Sequence, residues 1–123
     1  MLRLIKDNAI AEGEAVARLK REVGRWPGIT TEPGMMPASL EFQLGGKVLG
    51  LVYPVPGGVP AADLILPTAI AEALVIQRRV RRNTMVPAPG WVTVELATEA
   101  DVDNAVALFR GSYERLNRPL RLV

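Results

Sequence analysis

Apolar residues recur every three or four positions in three stretches of the chain, which is the spacing of one buried helix face. We predict helices from Asn8 to Arg25, from Thr68 to about Gln77, and from Thr98 onward. Thr68 and Thr98 each stand where a hydroxyl group caps the first amides of a helix. The residues expected to face the core are Ile10, Ala15, Val16, Leu19 and Val23 in the first helix, Ile70, Ala71, Leu74 and Val75 in the second, and Val102, Ala105, Val106, Phe109, Tyr113 and Leu116 in the third.

Alternation of apolar and polar residues, the period of a half-buried strand, marks most of the remaining chain. The plainest case is a hairpin in which Ser39–Leu44 and Lys47–Tyr53 flank Gly45-Gly46, a pair suited to a tight turn with positive φ. The segment Pro54–Pro60 must be a loop, either a lid over a site or an ordinary connection. Further strands are predicted at Ile29–Glu32, at Asp63–Pro67, in the stretch from Arg78 that ends at Val86-Pro87, and at Trp91–Leu96.

The order of these elements is helix, three or four strands, helix, two strands, helix. It favours an α+β fold, a two-layer domain with a mainly antiparallel sheet and the helices on one face. We expect residues 1–123 to form a single domain with peripheral tails at 1–8 and 117–123. The other sheet face is then open or paired, and it carries candidate ligand-binding or interface residues. These are Glu41, Gln43, Trp91, Thr93 and Glu95.

Histidine and cysteine are both absent, which excludes several classes of chemistry. Disulfides, thiolate nucleophiles, Ser-His and Cys-His catalysis and the usual transition-metal ligands all require one of them. No glycine-rich phosphate-binding motif occurs either. We therefore expect no metal and no other cofactor, and only carboxylate, tyrosine, arginine and hydroxyl groups remain.

The hydropathy of the chain predicts a cytoplasmic protein with no membrane partner. Hydrophobic residues make up 49% and charged residues 23% of the sequence. No apolar run approaches the roughly 20 residues that span a bilayer. The first residues also lack the continuous apolar core of a signal peptide.

Charge is unevenly distributed although the net charge is only +2. Such asymmetry steers a partner or forms pairs within the fold or across an oligomer. An arginine cluster at the end of a helix is a candidate for binding RNA or phosphate, but cations are favoured there by the helix dipole alone. The basic cluster is Arg78, Arg79, Arg81 and Arg82, and its acidic counterpart is Glu95, Glu99, Asp101 and Asp103.

Asp63 is the first candidate for carboxylate chemistry, because it is predicted at the beginning of an apolar strand beside the glycine-rich loop. The alternative is a solvated acid or a turn cap at a strand end. Glu41 and Glu95 share the open sheet face, where paired carboxylates take unequal pKa values if they lie close together. Trp91 is a candidate core anchor, interface residue or stacking platform.

A series of short motifs runs along residues 15–116. They are the helix and Trp-Pro-Gly segment at Leu19–Gly28, Gly50, Asp63-Leu-Ile-Leu-Pro67, Gly90-Trp91-Val-Thr-Val, Glu99–Phe109 and Ser112-Tyr113-Glu114. In their order and spacing they resemble the luciferase-domain proteins, small bacterial proteins that share a domain with the fungal luciferases, and more distantly the MmcQ/YjbR-type domains. The resemblance implies the order helix, three strands, helix, two strands, helix, close to the order that the periodicities predict.

The departures from that family concern its histidines. The resemblance implies histidines after the hairpin, where this chain has Leu51 and Tyr53, and another where it has Asn83 or Thr84. If those histidines form the family's site, this chain has lost it. Luciferase-like oxygenation needs no metal when an electron-rich substrate meets oxygen directly, but it needs a base, and Asp63 or Tyr53 would have to serve.

Three functions follow as hypotheses. The first is a non-catalytic binding or interaction module that forms a homodimer through the open sheet face or a sheet edge. The second is a small-molecule enzyme of the luciferase-like, metal-independent oxygenase type that uses Asp63 and Tyr53. The third is nucleic-acid binding through the cluster from Arg78 to Arg82.

Overall fold

The computed structural model describes residues 10, 12–86 and 88–117, and these form three helices and a six-stranded antiparallel sheet. The α+β class and the order of elements are confirmed, with four strands ahead of the second helix. The predicted helix start at Asn8, the segment 1–8 and the tail beyond residue 117 lie outside the described residues. The elements are α1 (Glu12–Gly24), β1 (Ile29–Pro33), β2 (Leu40–Leu44), β3 (Lys47–Tyr53), β4 (Ala61–Ile65), α2 (Thr68–Ile76), β5 (Arg81–Arg82), β6 (Trp91–Glu95) and α3 (Glu99–Asn117).

The sheet has the strand order β1-β2-β3-β4-β6-β5. Gly45 and Gly46, with φ of 59° and 81°, form the predicted two-residue turn between β2 and β3. Pro54–Pro60 is a loop between β3 and β4, as predicted, and contains a turn closed by the amide of Gly58 on the carbonyl of Val55 at 2.8 Å.

One face of the sheet is covered by α3, and most of the core lies there. Phe42, Gly50, Leu64 and Val92 stand opposite one another on neighbouring strands, and the ring of Phe109 packs on this row. Helix α1 packs against α3 and the same side of the sheet. Helix α2 contacts β5 at the sheet edge and adds Ala71 and Leu74 to the same core.

Side chains of alternate residues point to the other face, which α1 and α3 do not cover. There a second row crosses five strands, with Glu41 opposite Leu51, Leu51 opposite Asp63, Asp63 opposite Thr93, and Thr93 opposite Arg81. Helix placement on one face therefore leaves a polar row on the other.

Tyr113 on α3 fixes the turn that follows α1. Its hydroxyl donates a 2.6 Å hydrogen bond to the carbonyl of Pro27, and its ring lies 5.3 Å from that of Trp26. The Arg110 guanidinium lies over both rings, at 5.1 and 5.3 Å from their centroids. The Trp-Pro-Gly and Ser-Tyr-Glu motifs thus contact each other and hold the scaffold together.

The two predicted threonine caps have different outcomes. Thr98 caps α3, because its Oγ1 accepts from the amide of Asp101 at 3.1 Å while Asp101 accepts from the amide of Thr98 at 3.0 Å. Thr68 does not cap α2: Pro67 occupies the N-cap position, and no side chain bonds to the helix start. The prediction for Thr68 was wrong because the helix begins at that residue rather than after it.

The predicted inward face of α2 is also partly wrong. Ala71 and Leu74 are buried, but Ile70 is 42% exposed. Almost every residue of α2 is apolar, so the spacing did not single out the buried stripe.

None of the helices that the structure describes is long and apolar enough to cross a membrane.

Candidate functional site

Asp63 is the central residue of β4 and is only 4% exposed. The strand begins at Ala61, two residues before the predicted start, so Asp63 is flanked on both sides by paired strands rather than standing at a strand end. The alternative of a solvated or turn-capping acid is therefore wrong. A buried carboxylate requires hydrogen-bond partners.

Those partners form a chain of side chains that we call the Asp63 network: Asp63, Tyr53, Thr93 and Asn83. The Tyr53 hydroxyl and Thr93 Oγ1 both donate to Asp63 Oδ1, at 2.9 and 2.7 Å. Asn83 Nδ2 donates to Thr93 Oγ1 at 3.1 Å. Asn83 Oδ1 in turn accepts from the amides of Met85 and Val86 at 2.8 and 2.7 Å, which fixes the orientation of its amide group.

The proton positions in this network follow from its donors. Burial raises the pKa of the Tyr53 phenol well above its usual range, and the negative charge of Asp63 and the hydrogen bond to it raise it further. At neutral pH Tyr53 is therefore a protonated donor and not a base. Thr93 gives its proton to Asp63 and accepts from Asn83, so its hydrogen-bond direction is fixed as well.

Asp63 Oδ2 is the part of the carboxylate that remains available. It accepts no hydrogen bond from the residues that the structure describes. No buried side-chain nitrogen or oxygen among those residues lacks a partner. Among the described residues, Oδ2 is therefore the carboxylate oxygen to which no group donates.

A cavity of about 580 Å³ lies ahead of the start of β5, where the last residues of β6 have no neighbouring strand on that side. Thr93 forms part of its wall, so the Asp63 network reaches the cavity through this residue. We call it the edge cavity, and its lining includes Val75, Arg78, Arg79, Arg81, Thr93 and Glu95.

Trp91 is half-buried on the wall of a second cavity, of about 450 Å³, beside the start of α2. Asn83 lines this cavity too. The preceding Gly90 has φ of 93°, and a Cβ there would lie 2.5 Å from the carbonyl oxygen of Leu66. The glycine of the Gly-Trp motif is therefore required by the fold, because only glycine lets the backbone at position 90 approach the backbone of Leu66.

Three of the four clustered arginines have partners within the described structure. Arg81 pairs with Glu95 at 3.4 Å, Arg82 pairs with Glu72 at 2.5 Å, and Arg79 donates to Asn104 Oδ1 at 2.9 Å. The strand predicted from Arg78 onward is only two residues long, because Arg78 and Arg79 belong to the turn after α2. Three of the four arginines are thus held by partners within the fold, and all four line the edge cavity.

The remaining candidates on the open sheet face do not join the Asp63 network. Gln43 donates to Glu41 at 2.7 Å, a local pair on β2. Glu41 and Glu95 are separated by three strand spacings, roughly 14 Å, which is too far for a catalytic carboxylate pair. Among the described residues, no group of three or more acidic residues is placed to hold a metal ion.

Asn83 is the network residue that patterns in the sequence did not identify. It follows β5 and reaches the network only because β5 pairs with β6, ten residues later in the chain. The family resemblance was the one signal for this position. It implied histidines at Leu51 and Tyr53 and at Asn83 or Thr84, and of these positions Tyr53 and Asn83 belong to the network around Asp63.

Residues 60–112 match the family model described as the luciferase domain. The matched segment runs from just before β4 into α3, so it contains Asp63, Asn83 and Thr93 but not Tyr53. No curated protein and no solved structure matches the chain.

Proposed function

We propose that this chain, whose residues 60–112 match the family model of the luciferase domain, is a binding module that takes up a small organic molecule in the edge cavity. The Asp63 network forms the polar wall of that site. Arg78, Arg79, Arg81 and Thr93 stand around it on the turn after α2, β5 and β6.

The observation that carries this proposal is the position of Thr93. Its side chain bonds to a carboxylate that is almost completely buried, and it also lines a cavity of about 580 Å³. Ligand sites in proteins are commonly concave, mostly apolar and of about 300–1,000 Å³, with a few fixed polar groups. The edge cavity has a volume in this range and the Asp63 network supplies fixed polar groups, while arginines make its lining more polar than that of a common ligand site.

The state of the network favours binding over catalysis. Tyr53 holds its proton, and Asp63 Oδ1 is fully engaged by two hydroxyl donors. A network of this kind holds a ligand group in one orientation but leaves only Oδ2 free to receive a proton. Polar groups whose hydrogen bonds are made within the protein keep a fixed orientation, and a fixed orientation favours specific binding of a ligand.

Nuclear magnetic resonance titration of the labelled protein with 2-naphthamide, a neutral aromatic probe, tests the proposal. We expect shifts at Thr93 and Arg81 that are lost in Thr93→Val and kept in Thr93→Ser, which retains the hydroxyl. Thr30→Val is the matched control, since Thr30 is an exposed residue of β1 on the same sheet face. Shifts that survive in Thr93→Val would overturn the assignment of the site.

A luciferase-like, metal-independent oxygenase is the second candidate, and it is supported by the family match and by Asp63 Oδ2, to which no described residue donates. Asp63 would act as the base that forms the substrate anion. Oxygen consumption with electron-rich phenolic compounds is the assay. Asp63→Asn should abolish it and Glu41→Gln should not. Equal turnover by both variants would exclude this mechanism.

Self-association through the open sheet face is a further part of the proposal. Half-buried Leu51 and Trp91 lie on that face, and α1 and α3 lie on the other. Sedimentation over a range of concentrations should show a dimer that Trp91→Ala weakens. A monomer at all concentrations, with or without that substitution, would contradict it.

A further inference from the structure

We infer that the ligand of the edge cavity is a small organic acid whose carboxylate is bound by Arg78 and Arg79. This inference rests on the proposed function, since it specifies the chemistry of the same cavity. It is carried by the charges around the cavity, by the backbone at Arg78 and by the apolar part of the lining.

The first observation is a surplus of positive charge. Arg81 and Arg82 are each paired with a glutamate, at 3.4 and 2.5 Å. Within the described part of the chain, Arg79 donates only to the neutral side chain of Asn104, and the Arg78 guanidinium has no hydrogen-bond or ion-pair partner. Two arginines of the cavity lining therefore have no carboxylate partner among the described residues.

Asp101 also lines the cavity, but it is held by its own helix. Its Oδ2 accepts from the amides of Ala97 and Thr98, both at 3.0 Å. A carboxylate at a helix N-terminus is stabilised there by the helix dipole. Asp101 is therefore engaged with the start of α3, and Arg78 and Arg79 remain available to an external anion.

The backbone at Arg78 is the second observation. Arg78 follows α2 with φ of 62°, a conformation that favours glycine. The amides of Arg78 and Arg79 bond back to the carbonyls of Val75 and Leu74, both at 3.0 Å, so the turn is a regular helix end. A long charged side chain at a position where glycine is favoured supports a role for that side chain.

The remaining lining determines the rest of the ligand. Val75, Val80, Val94 and Ala97 give the cavity an apolar part. Guanidinium groups bind carboxylates with paired hydrogen bonds. Arginines and apolar residues in one lining suit a compact acid with an aromatic or branched apolar body. They suit a long, uniformly charged chain such as RNA poorly, because the apolar residues offer its phosphates no partner.

Calorimetric titration with 2-naphthoate and with 2-naphthamide, which has nearly the same shape without the charge, tests this inference. We expect the acid to bind about tenfold more tightly than the amide at low salt, because only the acid carries the negative charge that the two arginines attract. The double variant Arg78→Gln/Arg79→Gln should reduce this preference to less than about threefold. Arg21→Gln removes a charge from the exposed side of α1 and should leave the preference for the acid unchanged.

The outcomes separate this inference from the proposed function. Equal binding of acid and amide, or a preference that survives the double substitution, overturns the inference, while Thr93-dependent binding of the amide still supports the binding site. Failure of both compounds to bind contradicts both. Salt-dependent binding of a single-stranded oligonucleotide in place of 2-naphthoate would replace the acid by a nucleic acid.

Discussion

Phe109 and Gly50 are in such close contact that no other residue fits at position 50. A Cβ on Gly50 would lie 2.9 Å from Cε1 of Phe109 and 2.3 Å from the backbone oxygen of Asp63. The glycine thus allows α3 to pack directly on β3, and it does so beside the strand that carries Asp63.

Gly50→Ala should lower the free energy of unfolding by about 3 kcal/mol, because β4 and the Phe109 ring would both have to move. Gly111→Ala on α3 is the matched control. Its Cβ would meet only the end of the Arg115 side chain at 3.7 Å, so a gain of about 0.5–1 kcal/mol is expected from helix propensity. Urea denaturation measures both, and equal effects would contradict this account of position 50.

The stability of the protein should fall at alkaline pH through Tyr53. The pKa of its phenol is raised in the folded state above the ordinary value of 10.0. The folded state therefore binds this proton more tightly than the unfolded state. Stability from this source is complete below about pH 10 and is lost as pH rises towards the folded-state pKa.

Tyr53→Phe should cost about 1–2 kcal/mol at neutral pH, the value of a hydrogen bond to a charged acceptor at a half-buried site. Above about pH 10 its stability should decline less steeply than that of the unsubstituted protein, so that the two curves converge. Denaturation at a series of pH values tests this. Parallel curves would show that Asp63 does not hold the phenol proton.

The two threonines that precede helical stretches should differ in their contributions to stability. Thr98→Ala removes the hydroxyl that accepts from the amide of Asp101, and we expect a loss of about 1 kcal/mol. Thr68→Ala removes no cap and should change the unfolding free energy by less than about 0.5 kcal/mol. Thermal unfolding of the two variants compares them directly, and a larger effect at Thr68 would contradict the assigned caps.

Arg78→Gly should stabilise the fold by about 1 kcal/mol, because glycine adopts positive φ without the steric cost of a side chain. Gln77→Gly is the control on the adjacent residue. Gln77 has φ of −79°, so glycine there should destabilise by about 0.5–1 kcal/mol. Chemical denaturation should show opposite signs. If Arg78 also binds an acid, the more stable variant should bind 2-naphthoate less tightly.

Sequence patterns predicted the elements whose signals are local. The Gly45-Gly46 pair lies between two alternating runs, and Thr98 and Asp101 lie three residues apart, so each signal sits within a few residues of the structure it specifies. The hairpin and the start of α3 were predicted correctly for that reason. Alternation likewise placed Val92 and Val94 on the core side of β6.

The candidate site was predicted only in part, because it depends on pairing between distant strands. Ala61 and Ala62 carry little strand preference, so β4 was predicted to begin at Asp63 and its burial was missed. Asn83 meets Thr93 only through the pairing of β5 with β6. The even apolar composition of α2 concealed the exposure of Ile70, since an apolar residue on every side removes the periodic signal.

Helix α3 covers the apolar sheet face, and it follows all six strands in the chain. Strands β1 to β6 leave the ribosome before residues 99–117, so we expect Phe42, Leu64 and Val92 to stay open to water until the helix has emerged. Tyr113, which holds the turn at Pro27, emerges 86 residues after it. We therefore expect the apolar face of the nascent sheet to be accessible to chaperones until Tyr113 has emerged.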